Sequence, residues 1–181
     1  MDKASFLKEK RDNFAFKLGA AKYHIQMIQT VFKNNRDLIV SGKIDLPTTR
    51  PFIYHYYSLV YEIYSCFDMT LHYVNKKYDL NFENKDVQWK NEKDKTKFQK
   101  ALNDISPQTY IYIHTVVETP WFIALKATRN YLTHNGIIPL QVEYNDTKIN
   151  IINPIIDDKV LHFDLNLWGE EISKFFNNIY A

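Results

Sequence analysis

Cysteine is nearly missing from this chain: Cys66 is the one thiol in 181 residues. A single cysteine cannot close a disulfide within the chain or build a cysteine-based zinc cluster. Glycine is scarce as well, at four residues, and proline numbers six. So few breakers argue against a turn-rich or disordered chain and for one rich in helix. No excess of one charge exists either: 23 basic residues face 21 acidic ones, for a net charge of +2. A dedicated duplex-binding module usually carries a stronger basic excess, so any nucleic-acid contact is expected at a local site rather than over a whole face. No apolar run approaches the ~18 residues of a membrane span. The opening stretch, MDKASFLKEKRDNF, is charged from the start and lacks an apolar signal core. The expectation is a cytoplasmic protein that does not engage a membrane.

What the chain does have is apolar mass, 45% hydrophobic and 15% aromatic, and length enough for one domain with a sizeable core. Residues 3 to about 35 place Phe6, Phe14, Leu18, Ile25, Ile28 and Phe32 at helical spacing. NNRDLIVSGKIDLPTTRP breaks that pattern and reads as a connection. A second long helix is expected from Pro51 to about Lys77. Leu59, Ile63, Phe67, Thr70 and Val74 share its core face, with His55, Ser58, Glu62 and Met69 opposite. YDLNFENKD reads as a loop, and VQWKNEKDKTKFQKALND as a mixed-charge, solvated helix anchored by Trp89, Phe98 and Leu102.

ISPQTYIYIHTVVET begins with Ser106 as helix cap and Pro107 at the first helical position. Its β-branched run leaves a strand open as the alternative. TPWFIALKATRNYLTHNG repeats the cap-then-proline device at Thr119-Pro120 and stops at Asn135-Gly136, where glycine suits the left-handed end of a helix. Beyond Gly136 the period changes to alternation, with turn chemistry at Asn145-Asp146 and Asp157-Asp158. Two or three antiparallel strands fit, followed by a last helix over LWGEEISKFFNNIY. The expected fold is mainly α: a helical bundle, one domain over 1–181, with a small antiparallel β-hairpin inserted at about 138–165 before the C-terminal helix.

The chemistry concentrates in the Pro120–Asn135 helix. At ~100° per residue, Trp121, Ala124, Leu125, Thr128 and Leu132 form its core face. Arg129 falls at the edge of that face, beside Phe122. His134 lies on the far side, and Lys126, Asn130 and Thr133 fill the polar sector between. The ordinary explanation is an arginine that snorkels and a histidine that suits the helix dipole. Against it stands the concentration of polar groups, a titratable base included, within one of the most apolar segments of the chain.

RNYLTH, residues 129–134, resembles the Arg-X4-His pattern of the HEPN superfamily (higher eukaryotes and prokaryotes nucleotide-binding), including an asparagine directly after the arginine. The resemblance covers residues 1–136 and the final helix, with the strands as an insertion. It implies a HEPN-like bundle that acts as a homodimer, two Arg-X4-His helices facing one another across a cleft. The implied activity is metal-independent RNA cleavage, without a cofactor, as a toxin or defence component with a possible cognate antitoxin or regulatory partner. Arg129 and His134 take the catalytic positions; Asn130, Lys126 and Thr133 bind substrate or orient the catalytic pair, Asn130 by steadying the imidazole one turn on. An imidazole with a free pKa near ~6.5 can move protons at neutral pH, and a guanidinium offers a planar fork to phosphate oxygens. Some HEPN toxins carry a tyrosine two residues after the histidine, which a partner nucleotidyltransferase modifies. Gly136 stands there in this chain, which argues against regulation by that route. The rival expectation is a non-catalytic module of the same fold that binds a nucleotide, RNA or a protein.

Three other features stand outside this pattern. Tyr54, Tyr57, Tyr61 and Tyr64 form a stripe suited either to packing, at a core or dimer interface, or to base stacking. Asp68 and His72, one helical turn apart, supply two ligands and no third. Glu62 reads as solvated surface or, in the sharper reading, as an acidic group entering the cleft.

Overall fold

The computed structural model describes residues 2–41, 46–135, 141–145, 148–156 and 159–180. They are mainly helical. Helices α1 (Lys3–Asn34) and α3 (Leu46–Lys77) are the two long elements, separated by the short α2 (Arg36–Val40). They run antiparallel, as the contacts between them show: Phe32 meets Phe52, His24 meets His55, Lys17 meets Glu62 and Lys3 meets Asp79. Asp2 caps α1 by accepting from Ser5 N at 2.8 Å.

The contacts revise the expected faces of α3. His55 and Glu62 do not point away from the protein; they line the seam with α1. Glu62 Oε2 sits 2.7 Å from Lys17 Nζ, and His24 Nδ1 lies 3.0 Å from His55 Nδ1. A helix wedged between neighbours has two packed edges, and polar residues at an edge pair across it. Glu62 is thereby committed to α1, which removes it from any cleft at α6. Burial, the neighbouring His55 and, in opposition, Glu62 together hold the His24 imidazole below its usual 6.5.

The 87–104 stretch is the larger correction, because its only α-helix among the described residues is α4 (Lys97–Ile105). The preceding chain makes two 3-10 turns, Asn84–Asp86 and Glu92–Asp94. Gln99 explains the difference. Its buried side chain accepts from Lys90 N and Thr96 N, both at 3.0 Å, and donates to Lys90 O at 2.9 Å. Thr96 Oγ1 accepts from Gln99 N in return, a reciprocal cap that starts the helix at Lys97. The signal was Thr96-X-X-Gln99, hidden within a run of charges.

Helix α5 (Pro107–Val117) settles the choice between helix and strand in favour of helix. Ser106 does not cap it through its side chain; its hydroxyl donates to Thr109 Oγ1 at 2.9 Å. Helix α6 spans Pro120–Asn135, while Gly136, expected to stop it, lies outside the described residues. Three strands follow, β1 (Gln141–Asn145), β2 (Lys148–Ile156) and β3 (Lys159–Asp164), antiparallel in the order β1-β2-β3. The pairing of β2 with β3 shifts between Ile152 and Ile155. Pro154 falls there, and a proline has no N–H to give the ladder. The turn residues Asp146, Asp157 and Asp158 lie outside the described residues. Helix α7 (Leu165–Tyr180) closes the chain against α1 and α3.

The core joins these helices: Phe14 and Ile28 from α1, Tyr56, Leu59 and Phe67 from α3, Leu102 from α4, Ile113 from α5, and Trp168 and Phe175 from α7 are all buried. Phe67 is central to the seam between α3 and α6, its ring 4.6 Å from that of Phe122. No helix among the described residues is long and apolar enough to cross a membrane.

Candidate functional site

Helix α6 buries Phe122, Ala124, Leu125, Thr128 and Leu132. Trp121, expected in that set, is half-buried, and Phe122 replaces it. The buried arc is therefore rotated toward Phe122, by roughly one position on the wheel. That rotation decides the environment of Arg129, which now lies within the buried arc, between Leu125 and Phe122, rather than at its border.

Arg129 is half-buried against α3. Its guanidinium carbon stands 5.0 Å from the centroid of the Tyr64 ring, a cation–π contact. Its Nη1 donates to Asn130 Oδ1 at 3.1 Å. Asn130 was expected to steady His134; its side-chain oxygen holds Arg129 instead. Adjacent residues on a helix do not normally face one another, so the arginine side chain must bend along the helix surface to reach it.

Asp68, one turn beyond Tyr64 on α3, feels the same guanidinium. Its apolar surroundings push the carboxyl up to about 6, and Arg129 opposes the rise. Asp68 also keeps contact with solvent, which screens its charge. Tyr64 is raised by burial and by Asp68, again with Arg129 opposing. Arg129 and Asp68 make no salt bridge within 4.0 Å. The guanidinium is thus held by a ring and an amide while a carboxylate acts on it from a distance, a geometry that leaves donors free for a phosphate.

His134 is exposed and makes no hydrogen bond or ion pair with any other described residue. It lies five positions beyond Arg129, so the two side chains leave the helix roughly 140° apart. One α6 helix alone does not aim both at one point. Thr133 Oγ1 donates to Arg129 O at 2.8 Å and lies 3.2 Å from Tyr61 Oη. It ties the last turn of α6 to α3. Lys126 is half-buried beside a narrow cavity of about 20 Å³ that it lines with Tyr64, Trp89, Lys90, Glu118 and Phe122. The site residues thus divide: Arg129, Asn130 and Thr133 form one connected group on the α3 side, Lys126 borders it, and His134 stands apart.

The tyrosine stripe divides too. Tyr57 and Tyr64 pack against the core, whereas Tyr54 and Tyr61 are exposed. Asp68 and His72 recruit no third ligand, and no cluster of three or more His, Cys, Asp or Glu side chains forms among the described residues. Tyr64 packs against the core, in keeping with the packing reading of the stripe; its position under Arg129 depends on how α3 and α6 dock. No protein-family model, curated protein or solved structure matches the chain significantly, so the site rests on its own geometry.

Proposed function

We propose that this chain is a metal-independent endoribonuclease of the HEPN type, acting as a homodimer within a defence or toxin–antitoxin system. The observation that carries the reading is the division on α6, where an arginine pre-positioned on an aromatic ring accompanies a solvent-facing histidine in an Arg-X4-His pattern. Cleavage by these groups needs no further cofactor. One His134 takes the proton from a ribose 2′-hydroxyl, and the freed oxygen attacks the adjacent phosphorus. Arg129 stabilises the extra negative charge on the equatorial oxygens, where a fixed donor is worth most. The 5′-oxygen leaves with a proton from a second imidazole, giving a 2′,3′-cyclic phosphate and a 5′-hydroxyl. Because the two side chains diverge on one helix, a second copy supplies the second imidazole and closes the site.

Incubation of the protein with RNA in excess chelator tests this directly. Wild type should cut, and Arg129→Ala and His134→Ala should not. Cleavage that requires magnesium, or that survives both substitutions, refutes the mechanism.

One observation favours a second reading. Arg129 is held inside its own subunit by Tyr64 and Asn130, as a purely structural arginine would be. Under that reading Arg129→Ala costs stability and no RNA is cut.

A further inference from the structure

The lysines of the 85–97 stretch were expected on a solvated helix, where cations spread around a cylinder. The structure gathers several of them instead. Lys85, Lys90 and Lys97 border an open cavity of about 510 Å³, with Phe82 and Thr96 on its wall and Asp86 as the only acidic residue among the described ones that line it. The loop is stiff where it matters, since the buried Gln99 grips both the N–H and the carbonyl of Lys90.

Lys90 also lines the narrow cavity that contains Lys126 and Tyr64. Lys90 thus borders both concavities, and the second is also lined by Tyr64, the ring under Arg129. Trp89 lies on the same wall, and its indole N–H is buried with no hydrogen-bond partner among the described residues. Lys90, Lys97 and Lys126 enter no ion pair among the described residues. Their neighbours differ: Lys85 is engaged by Glu83 at 2.9 Å, and Lys95 by Glu92. Cations without an ion pair that border neighbouring depressions are what a polyanion backbone engages with least rearrangement.

We infer that Lys97, Lys90 and Lys126 form a cationic track that leads the phosphodiester backbone of single-stranded RNA from the cavity beside Phe82 to Arg129. The track rests on the ribonuclease reading for the identity of its polyanion. Phe82 gives a base or ribose an apolar surface at the entrance. Glu118, on the narrow cavity, sets a limit on how deeply a phosphate descends, which keeps the backbone at the rim.

Fluorescence anisotropy with a labelled, unstructured 12-nucleotide RNA tests the track. The protein carries His134→Ala to suppress turnover, and chelator is present throughout. Adding Lys90→Gln with Lys97→Gln should weaken binding roughly 10-fold and lower the salt slope by about 1.4, two lost phosphate contacts at ~0.7 each. A control pair on α1, Lys22→Gln with Lys33→Gln, should leave both unchanged. Equal affinities for the two pairs, or no RNA binding at all, overturn the track. Wild-type cleavage, measured in parallel, separates the two claims. RNA cut efficiently with no effect of Lys90 and Lys97 sinks the track and spares the nuclease; RNA held through these lysines but never cut does the reverse.

Discussion

Arg129 and His134 share one helix and live in opposite circumstances. Arg129 is gripped on three sides: Tyr64 beneath it, Asn130 at its Nη1 and Asp68 acting from a distance. The His134 side chain is exposed and makes no hydrogen bond or ion pair with any described residue. The contrast follows from packing. Phe122 and Leu125 draw the Arg129 side of α6 onto α3, whereas His134 is exposed. Under the proposed reaction the two groups have different physical tasks. A charge that must sit still to stabilise developing negative charge benefits from a rigid surround, while a proton carrier must reach two atoms during the reaction. A preformed arginine and an open histidine suit those tasks, and the open one is the group that a second copy can approach.

The largest expected effect comes from Arg129 itself. Arg129→Ala should reduce kcat/KM for RNA about 10³-fold or more, equivalent to roughly 4 kcal/mol. Arg129→Lys should fall nearly as far, because an ammonium keeps the charge but loses the planar fork. Stability should change by only about 1 kcal/mol, the worth of a partly exposed cation–π contact. Chemical denaturation of both variants checks the second half. A loss of several kcal/mol with Arg129→Ala breaks the comparison, because Arg129 is then a structural charge rather than a poised one.

His134→Ala should lower the cleavage rate by about 10²- to 10⁴-fold, the range for loss of a positioned general acid or base. Its unfolding free energy should stay within about 0.5 kcal/mol of wild type, as for exposed residues without partners. Activity lost with stability untouched is the signature that separates it from Arg129. If His134→Ala is as active as wild type, the exposed histidine is merely a surface residue.

The sequence carried unequal amounts of this picture. Helix ends were legible wherever a local device sets them, as at Pro107 and Pro120. The Arg129–His134 divergence was legible too, since it depends only on helical pitch. Phe122 in place of Trp121, and Tyr64 under Arg129, were not: both depend on which side of α6 meets α3, and a helical wheel assumes a single neighbour. The same assumption misplaced Glu62 and His55, which pair with α1 across a second seam. Asn130 was misassigned for a subtler reason. Spacing along a helix favours partners three or four residues away, and its observed partner is the adjacent residue. The 85–96 loop was hidden because charged residues favour helix by composition, while one buried glutamine decides otherwise.

A smaller effect should separate the ring from the charge it supports. Tyr64→Leu keeps apolar volume against Phe67 and Phe122 but removes the face that Arg129 rests on. Cleavage should fall about fivefold, corresponding to the ~1 kcal/mol of a cation–π contact, with folding nearly unchanged. Tyr64→Phe should retain most of the activity, because the ring face remains. If the phenylalanine variant is as impaired as the leucine one, the hydroxyl rather than the ring matters.

The smallest effect concerns Asp68, and here the sign of a pH dependence decides which force governs the surround of Arg129. The carboxyl stands at about 6 in the folded protein against 3.8 for an ordinary aspartate. Between those values the folded state holds the proton that the unfolded state has released. Stability must therefore decline as pH rises from about 4 to about 6, and remain lower above it. Asp68→Asn removes the ionisation, so its melting temperature should exceed that of wild type at pH 8, with the gap closing as pH falls toward 4. The gap should be small, because solvent screens a carboxylate that keeps contact with it. Thermal melts of both proteins across that range measure it. A gap of the opposite sign, with wild type the more stable at pH 8, means that attraction to Arg129 outweighs desolvation. The guanidinium would then be tethered by a true ion partner, less free to meet a phosphate, and the contrast with His134 would narrow from the arginine's side.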